Sequence, residues 1–179
     1  MTYRRLFLFV EGDDDERFFR SVVLPALHTA YDNVQFVQFS TLKKEKLKGF
    51  LRSVVAMKAD YILVRDLDRN PCATAAKDHI LRALPHLDPD RVHIVKAEIE
   101  SWYCAGIPED HPWRSLTIGQ CADTSTITKE AFETVVLRSG QPKLPTMLAL
   151  LEGFDREAAI HRNESFHRFL RRFTPGLDT

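Results

Sequence analysis

Residues 6–19, LFLFVEGDDDERFF, pass from an apolar strand-like run directly into a cluster of acids. Glu11 follows the apolar run, and a row of four acids, residues 13–16, comes one glycine later. Carboxylates packed this closely repel one another, so water, a helix N-terminus or a bound cation must offset the repulsion. The stretch predicts a strand that turns sharply into a helix, with an acidic site at the turn.

The pattern of this stretch recurs along the first hundred residues. Apolar runs rich in β-branched or aromatic residues lie at 5–10, 34–40, 61–66 and 91–99. Between them, helical periodicity covers 13–31, 43–57 and 72–86. Strands that alternate with helices predict βαβ units, and hence an α/β fold with a mainly parallel sheet of about four strands and helices on both faces.

The pattern changes after Trp102. A loop-like stretch with Pro108 and Pro112 is followed by three helical segments, in which Gly140 and Gly153 are typical helix stops. We therefore expect a single domain over 1–179, with an α/β core over 1–105 and a C-terminal helical extension over 106–179.

The composition of the chain argues against several classes of protein. Lys and Arg total 25, as do Asp and Glu, so any electrostatic argument must be local. Three cysteines without C-x-x-C spacing argue against a disulfide framework and a zinc ribbon, and favour buried, reduced thiols. The N-terminal apolar run is too short for a signal peptide or a membrane span, so we expect a cytoplasmic protein without a membrane partner.

Acids end three of the four predicted strands. Glu11 follows the first, Asp66 and Asp68 the third, and Glu98 and Glu100 the fourth. Ligands of open parallel sheets bind beyond the carboxyl ends of the strands. An extended chain would place Asp66 and Asp68 on one face, where the pair and a third carboxylate could hold a hard cation. Gly12 would permit the tight turn that brings Glu11 to the same point.

Structural roles compete with this interpretation. Asp13, Asp14, Asp15 and Glu16 are typical of a helix start, where the helix dipole favours acids. Residues 66–71, DLDRNP, could form a simple turn with Asx bonds from Asp68 or Asn70. Glu98 and Glu100 could be surface acids, and Trp102 a core residue.

The acidic residues resemble the Toprim domain, which topoisomerases, primases and several nucleases share. The family's Glu-Gly after the first strand matches Glu11-Gly12, and its later Asp-x-Asp matches Asp66-Leu67-Asp68. The resemblance covers the first 105 residues and implies a Rossmann-like Toprim fold.

Small standalone Toprim-like bacterial proteins, related to the overcoming-lysogenisation-defect nucleases, resemble the chain more closely. Their E-G-x-x-[DE]-x-x-F pattern matches Glu11, Gly12, Asp15 and Phe18, and their E-x-E-x-W segment matches 98–102. Lys143 corresponds to a family Lys before a late helix, although Pro142 stands where the family usually has Ser.

This resemblance implies a Mg²⁺- or Mn²⁺-dependent nuclease or phosphodiesterase. Glu11, Asp66 and Asp68 would be the metal ligands, and Asp15 with Glu98 or Glu100 would serve a second ion or orient water. Glu11 and Lys143 would be catalytic, with Lys143 neutralising charge on the phosphate.

Nucleic acid, with DNA as the expected form, would be held through its phosphates. Candidate cations are Lys43, Lys44, Lys46, Lys48, Arg52, Lys58 and Arg69, with Arg162, Arg168, Arg171 and Arg172 near the C-terminus. Either group could instead be an ordinary solvated helix face.

Two other functions are left open. The segment 61–71 could be a haloacid-dehalogenase-like phosphatase motif, with Asp66 as nucleophile and Asp68 as acid. The chain could also be a non-catalytic or regulated Toprim partner of an ATPase, for example a phage-defence effector that docks through its helical extension. A homodimer is left open as well.

Overall fold

The apolar run at residues 5–10 forms β1 (Arg5–Val10), an inner strand of a parallel sheet. The computed structural model describes residues 3–174. Within that range the other strands are β2 (Asn33–Gln38), β3 (Asp60–Asp66) and β4 (Val92–Val95). Their order is β2-β1-β3-β4, and all neighbours are parallel, which confirms the predicted α/β class.

The strand order places a topological switch point between β1 and β3. From β1 the chain connects to β2 on one side, and from β2 it crosses over β1 to β3 on the other. In the register, Leu6 lies beside Val34 of β2 and Asp60 of β3. Crevices at such switch points are where open α/β sheets bind ligands, so the turns after Val10 and Asp66 are the segments of interest.

The helices of this part of the chain are α1 (Asp13–Phe18), α2 (Leu24–Leu27), α3 (Lys44–Ala56) and α4 (Ala73–Ala83). The single helix predicted over 13–31 is instead broken by a π-helical segment, Phe19–Val23, between α1 and α2. Pro25, at the start of α2, has no N–H for an α-helical bond, and the wider π turn directly precedes it. The predicted helices over 43–57 and 72–86 are confirmed within a few residues.

Both faces of the sheet are buried. Alternate residues of β1, Phe7 and Phe9, belong to a core cluster with residues of α3 and α4. Phe50 of α3 packs edge-on against both rings, with centroids 5.8 and 5.4 Å away. Leu6 and Leu8, which point to the opposite face, are also inaccessible to solvent. The near-continuous apolar character of β1 follows from this double burial.

The fourth strand is shorter than predicted. A 3₁₀ turn, Pro89–Arg91, leads into β4, which ends at Val95 instead of Ile99. Ala97 has φ +73°, in the left-handed region that an extended strand cannot contain. Glu98 and Glu100 therefore do not end a strand, and Glu100 is the first residue of a helix.

The chain divides into two compact units, the first ending at Val95 and the second starting at Lys96. The described helices of the second unit are α5 (Glu100–Ala105), α6 (Thr117–Gln120), α7 (Lys129–Ser139), α8 (Lys143–Glu152), α9 (Arg156–Arg162) and α10 (Glu164–Phe173), with a 3₁₀ turn at Pro112–Ser115. The three predicted helical segments correspond to α7, α8 and α10, whereas α5, α6 and α9 were not predicted. Gly140, at φ +69°, ends α7 as a left-handed cap. In residues 3–174, no helix has the length and apolar character needed to cross a membrane.

Candidate functional site

Glu11 stands at the carboxyl end of β1. Its backbone carbonyl accepts a hydrogen bond from the Ser40 amide at 3.0 Å, which extends the β1–β2 ladder by one step and fixes the backbone there. Its side-chain oxygen Oε2 is buried and has no hydrogen-bond partner among the described residues. A buried carboxylate oxygen without a donor costs free energy, so this atom indicates a ligand or a functional constraint.

The acids that follow Glu11 begin helix α1, as the structural interpretation proposed. Their partners are protein side chains: Gln38 for Asp13 at 2.7 Å, Arg17 for Asp14 at 2.6 Å, and Arg20 for Glu16 at 2.7 Å. These pairs and the helix dipole offset the repulsion within the cluster.

Asp15 is buried and has a capping role. Its Oδ2 accepts a hydrogen bond from the Gly12 amide at 3.3 Å, as an acidic third residue of a helix does in a capping box. Gly12 itself has φ −151° and ψ −161°, an extended conformation open to any residue. Gly12 is thus compatible with the turn, as expected, but its conformation does not require a glycine.

Asp66 and Asp68 lie near each other in sequence but in different backbone conformations. Asp66 is the last residue of β3, and its Oδ1 is shielded from solvent. Asp68 has φ +50° and lies in a turn that the Asn70 amide closes on the Leu67 carbonyl at 3.1 Å. The segment thus forms a turn, as the structural alternative proposed, and the prediction that both aspartates share one face of an extended chain was wrong.

Asp68 is held by a neighbouring cation. Arg65 Nη2 lies 3.4 Å from Asp68 Oδ2, and the Asp68 side chain is about half exposed (54%). The Arg65 guanidinium also lies 5.2 Å from the Phe39 ring centroid. Sequence reasoning missed Arg65, although its alternation with Leu63 on β3 places it on the face covered by α3 and α4.

The donors around the switch point suit a hard cation. Glu11, Asp66 and Asp68 offer only carboxylate oxygens, which Mg²⁺ and Mn²⁺ prefer, and one buried oxygen of Glu11 has no donor. Within residues 3–174, however, no group of three or more His, Cys, Asp or Glu side chains is arranged as a metal site. Asp68 would have to exchange its contact with Arg65 for the ion.

Glu98, Glu100 and Lys143 belong to the second unit. Glu98 Oε2 accepts a hydrogen bond from the Lys129 amide at the start of α7, where an acid suits the helix dipole. Glu100 is buried and pairs with Lys143 Nζ at 3.4 Å, and Glu133 lies 3.1 Å from the same nitrogen. Burial raises the pKa of Glu100, and the charge of Lys143 only partly offsets this effect.

Two other residues singled out in the sequence are structural. Trp102 is inaccessible to solvent and donates from Nε1 to Ser165 Oγ at 2.8 Å, which confirms its core role. Arg162 ends α9 and is buried, and its guanidinium donates to backbone carbonyls that include those of Cys104 and Gly119. Its assignment to a phosphate-binding surface was therefore wrong.

The remaining candidate cations fall into two groups. In the first unit, Lys44, Lys48 and Arg69 line a cleft that also reaches Asp66 and Asp68. Lys43 and Lys46 lie beside them on the exposed start of α3, and further along the chain Arg52 and Lys58 are exposed as well. In the second unit, α10 exposes Arg168, Arg171 and Arg172, and Arg168 pairs with Glu164 at 2.6 Å.

The thiols differ in their surroundings. Cys72 is exposed, which contradicts the prediction of buried thiols, whereas Cys104 is buried and Cys121 is intermediate. Burial raises the pKa of Cys104, so this thiol is inert in the folded state.

Comparisons of the chain with protein-family models, with curated proteins and with solved structures gave no match. The resemblance to Toprim proteins therefore rests on sequence motifs alone, chiefly Glu11-Gly12, Asp66-Leu67-Asp68 and residues 98–102.

Proposed function

We propose that the first unit binds a divalent cation, Mg²⁺ or Mn²⁺, and hydrolyses phosphodiester bonds of nucleic acid, with DNA as the expected substrate. The observation that carries the proposal is the buried Oε2 of Glu11, which has no hydrogen-bond partner among the described residues. It lies at the carboxyl edge of the sheet, next to the β1–β3 switch point where such folds bind ligands.

Glu11, Asp66 and Asp68 would hold the ion. When bound, the cation would supply a Lewis acid that polarises the phosphate and lowers the pKa of an attacking water. Glu11 is fixed by the ladder to Ser40, whereas Asp68 lies in a turn and is tied to Arg65. Release of Asp68 would leave the Arg65 guanidinium available for a substrate phosphate.

Cations of the same unit favour a phosphate substrate. Lys44, Lys48 and Arg69 lie around the cleft that contains both aspartates, so an anion near the acids would meet positive charge. The C-terminal arginines of α10 stay a prediction for a further contact with nucleic acid.

A second candidate, a regulated effector held by a partner protein such as an ATPase, is favoured by exposed leucines of the helical unit. Leu137 of α7 is 80% exposed, and Leu144 and Leu148 of α8 are 49% and 43% exposed. Apolar side chains of this size at a surface are typical of docking sites.

The test is calorimetric titration of Mg²⁺ and Mn²⁺, followed by a plasmid-nicking assay on the same samples. We expect the wild type to bind and nick, and Glu11→Gln and the Asp66→Ala, Asp68→Ala double variant to lose both activities. Asp13→Asn is the matched control, because Asp13 is an acid of the same segment with an assigned helix-start role. Nicking that persists in both site variants would overturn the proposal, as would a wild type that binds neither ion.

A further inference from the structure

The first unit has a cleft of about 580 Å³ on one face of its sheet, between α3 and α4. Both helices pack on the same core cluster, but they have little contact with each other. The gap between them lies over β3, whose residues Leu63 and Arg65 point into it. The cleft is therefore a consequence of helix spacing, and its lining includes Asp66, the last residue of β3, and Asp68.

Helical periodicity decides which side chains reach the cleft. On α3 these are Lys44, Leu47 and Lys48, spaced three and four residues apart. On α4 they include His79, Ile80 and Ala83, with the same spacing. Each helix thus gives one continuous stripe to the cleft wall.

The floor of the cleft is apolar. Leu63, Ala76 and Leu84 are buried core residues, with 1%, 2% and 8% exposure. Leu47 and Ile80 are partly buried against the same cluster. An apolar floor favours a ligand with an apolar or flat body, because such a body would displace water from these side chains.

The rim of the cleft is charged, and its cations outnumber its acids among the lining residues. Lys44, Lys48, Arg65 and Arg69 face Asp66 and Asp68. Lys48 also lies 3.2 Å from Glu45, an exposed pair that contributes little and can open. The rim therefore selects a ligand that carries negative charge on one side of an apolar body.

We propose that this cleft binds one nucleotide of the nucleic-acid substrate, with its base on the apolar floor and its phosphate on Lys44, Lys48 and Arg69. The volume lies within the range of small-ligand pockets. Inorganic phosphate would leave the floor uncovered, and an uncharged nucleoside would leave the lysines without a counter-charge. The inference rests on the proposed function in one respect: the bound nucleotide would lie next to the phosphodiester bond that is cleaved at Asp66 and Asp68.

Binding is measured without metal, in EDTA, so that the result does not depend on catalysis. The probes are adenosine 5′-monophosphate, adenosine, inorganic phosphate and a fluorescein-labelled single-stranded oligonucleotide. The wild type should bind the monophosphate more tightly than adenosine or phosphate, and the monophosphate should displace the oligonucleotide.

Three variants locate the ligand. Lys44→Ala with Lys48→Ala should weaken monophosphate binding about tenfold or more, since two charge-assisted contacts are lost. Ala83→Leu should weaken it similarly, because the larger side chain occupies the cleft wall at no change in charge. Arg5→Ala with Arg82→Ala is the matched control, because it removes two exposed cations of the same unit that do not line the cleft.

Inorganic phosphate that binds as tightly as the monophosphate would overturn the inference, since the cleft would then be an anion site alone. Equal losses in the control and the lysine pair would overturn it too. If the cleft binds nucleotide but the acids bind no metal, the proposed hydrolysis fails while nucleotide binding stands. If the acids bind metal but the cleft binds no nucleotide, nucleotide binding in the cleft fails while the proposed metal site stands.

Discussion

Two glutamates with buried side-chain oxygens differ in the groups that surround those oxygens. Glu100 is almost inaccessible to solvent, and the cation of Lys143 lies 3.4 Å from it. Glu11 has a buried oxygen for which the described residues supply no donor. A paired buried acid can be purely structural, whereas an oxygen without a donor is expected where a ligand completes the site.

We predict that Glu11→Met stabilises the metal-free protein by about 1 kcal/mol, because it removes the desolvation cost of an oxygen without a partner. Thermal unfolding in EDTA should show a midpoint about 2–4 °C higher than that of the wild type.

The same experiment with saturating Mg²⁺ provides the contrast. A ligand that binds only the folded state raises the midpoint, so the wild type should gain stability and Glu11→Met should gain none. Equal magnesium effects on both proteins would remove Glu11 from the site.

Glu100 gives a prediction about pH. Its raised pKa means that the folded state holds the proton more tightly than the unfolded state. The free energy of unfolding therefore falls as pH rises from the ordinary glutamate pKa of 4.5 through the raised value. Glu100→Gln does not titrate, so its stability relative to the wild type should increase over this pH range.

Urea unfolding at several pH values measures this difference. Glu133→Gln serves as the control, because it removes an acid from the same Lys143 at a more exposed position. The assignment would be contradicted if the free energy of unfolding of Glu100→Gln, minus that of the wild type, stayed constant or fell as pH rises.

Helix α3 ends in a Schellman motif with a lysine at the position where glycine is preferred. The Ala59 amide donates to the Val54 carbonyl and the Lys58 amide to the Val55 carbonyl, at 3.2 and 3.0 Å. Lys58 has φ +53°, which costs a residue with a Cβ atom free energy.

We therefore predict that Lys58→Gly stabilises the protein by about 0.5–1 kcal/mol. Chemical denaturation should show a higher midpoint with an unchanged slope. Lys58→Ala is the control, because it removes the same charge and keeps the Cβ atom. An equal midpoint for the two variants would show that charge, not backbone strain, is responsible.

Periodicity predicted the elements with the strongest apolar patterns and failed where backbone conformation decides. Helix α3 and strand β3 lie within a few residues of their predicted bounds. The end of β4 was missed because Ala97 adopts a positive φ that an alanine does not signal. The position of Asp68 was missed for the same reason. Its spacing from Asp66 suggested an extended chain, but its backbone is in the left-handed region.

The candidate site was predictable to the extent that strand ends determine it. Acids after apolar runs identified Glu11 and Asp66, since parallel strands share one carboxyl edge. The cleft was not predictable, because it depends on the distance between two helices that are separated in sequence by β3. The sequence identified Lys44 only as part of a basic run. It did not indicate that Lys48, and not Lys46, lines the cleft together with Lys44.

The protein contains 25 basic and 25 acidic residues, so its total charge gives no net attraction for a polyanion. Affinity for nucleic acid must then come from local cations, and it should depend on salt in proportion to the phosphates they contact. Among the helices of residues 3–174, α3 in the first unit and α10 in the second carry the largest excess of cations over acids. The slope of this salt dependence therefore measures how many phosphates each of the two helices contacts.

We predict that Lys44→Ala with Lys48→Ala makes the negative slope of log affinity against log salt shallower, by about 1.4 for single strands or about 1.8 for duplex. Fluorescence anisotropy over a salt series measures the slope. Arg5→Ala with Arg82→Ala, which removes the same charge elsewhere, should leave it unchanged. A change only in Arg171→Ala with Arg172→Ala would move the interface to α10. Since Lys44 and Lys48 line the same cleft as Asp66 and Asp68, a slope that depends on these lysines would tie nucleic-acid binding to the proposed site of hydrolysis.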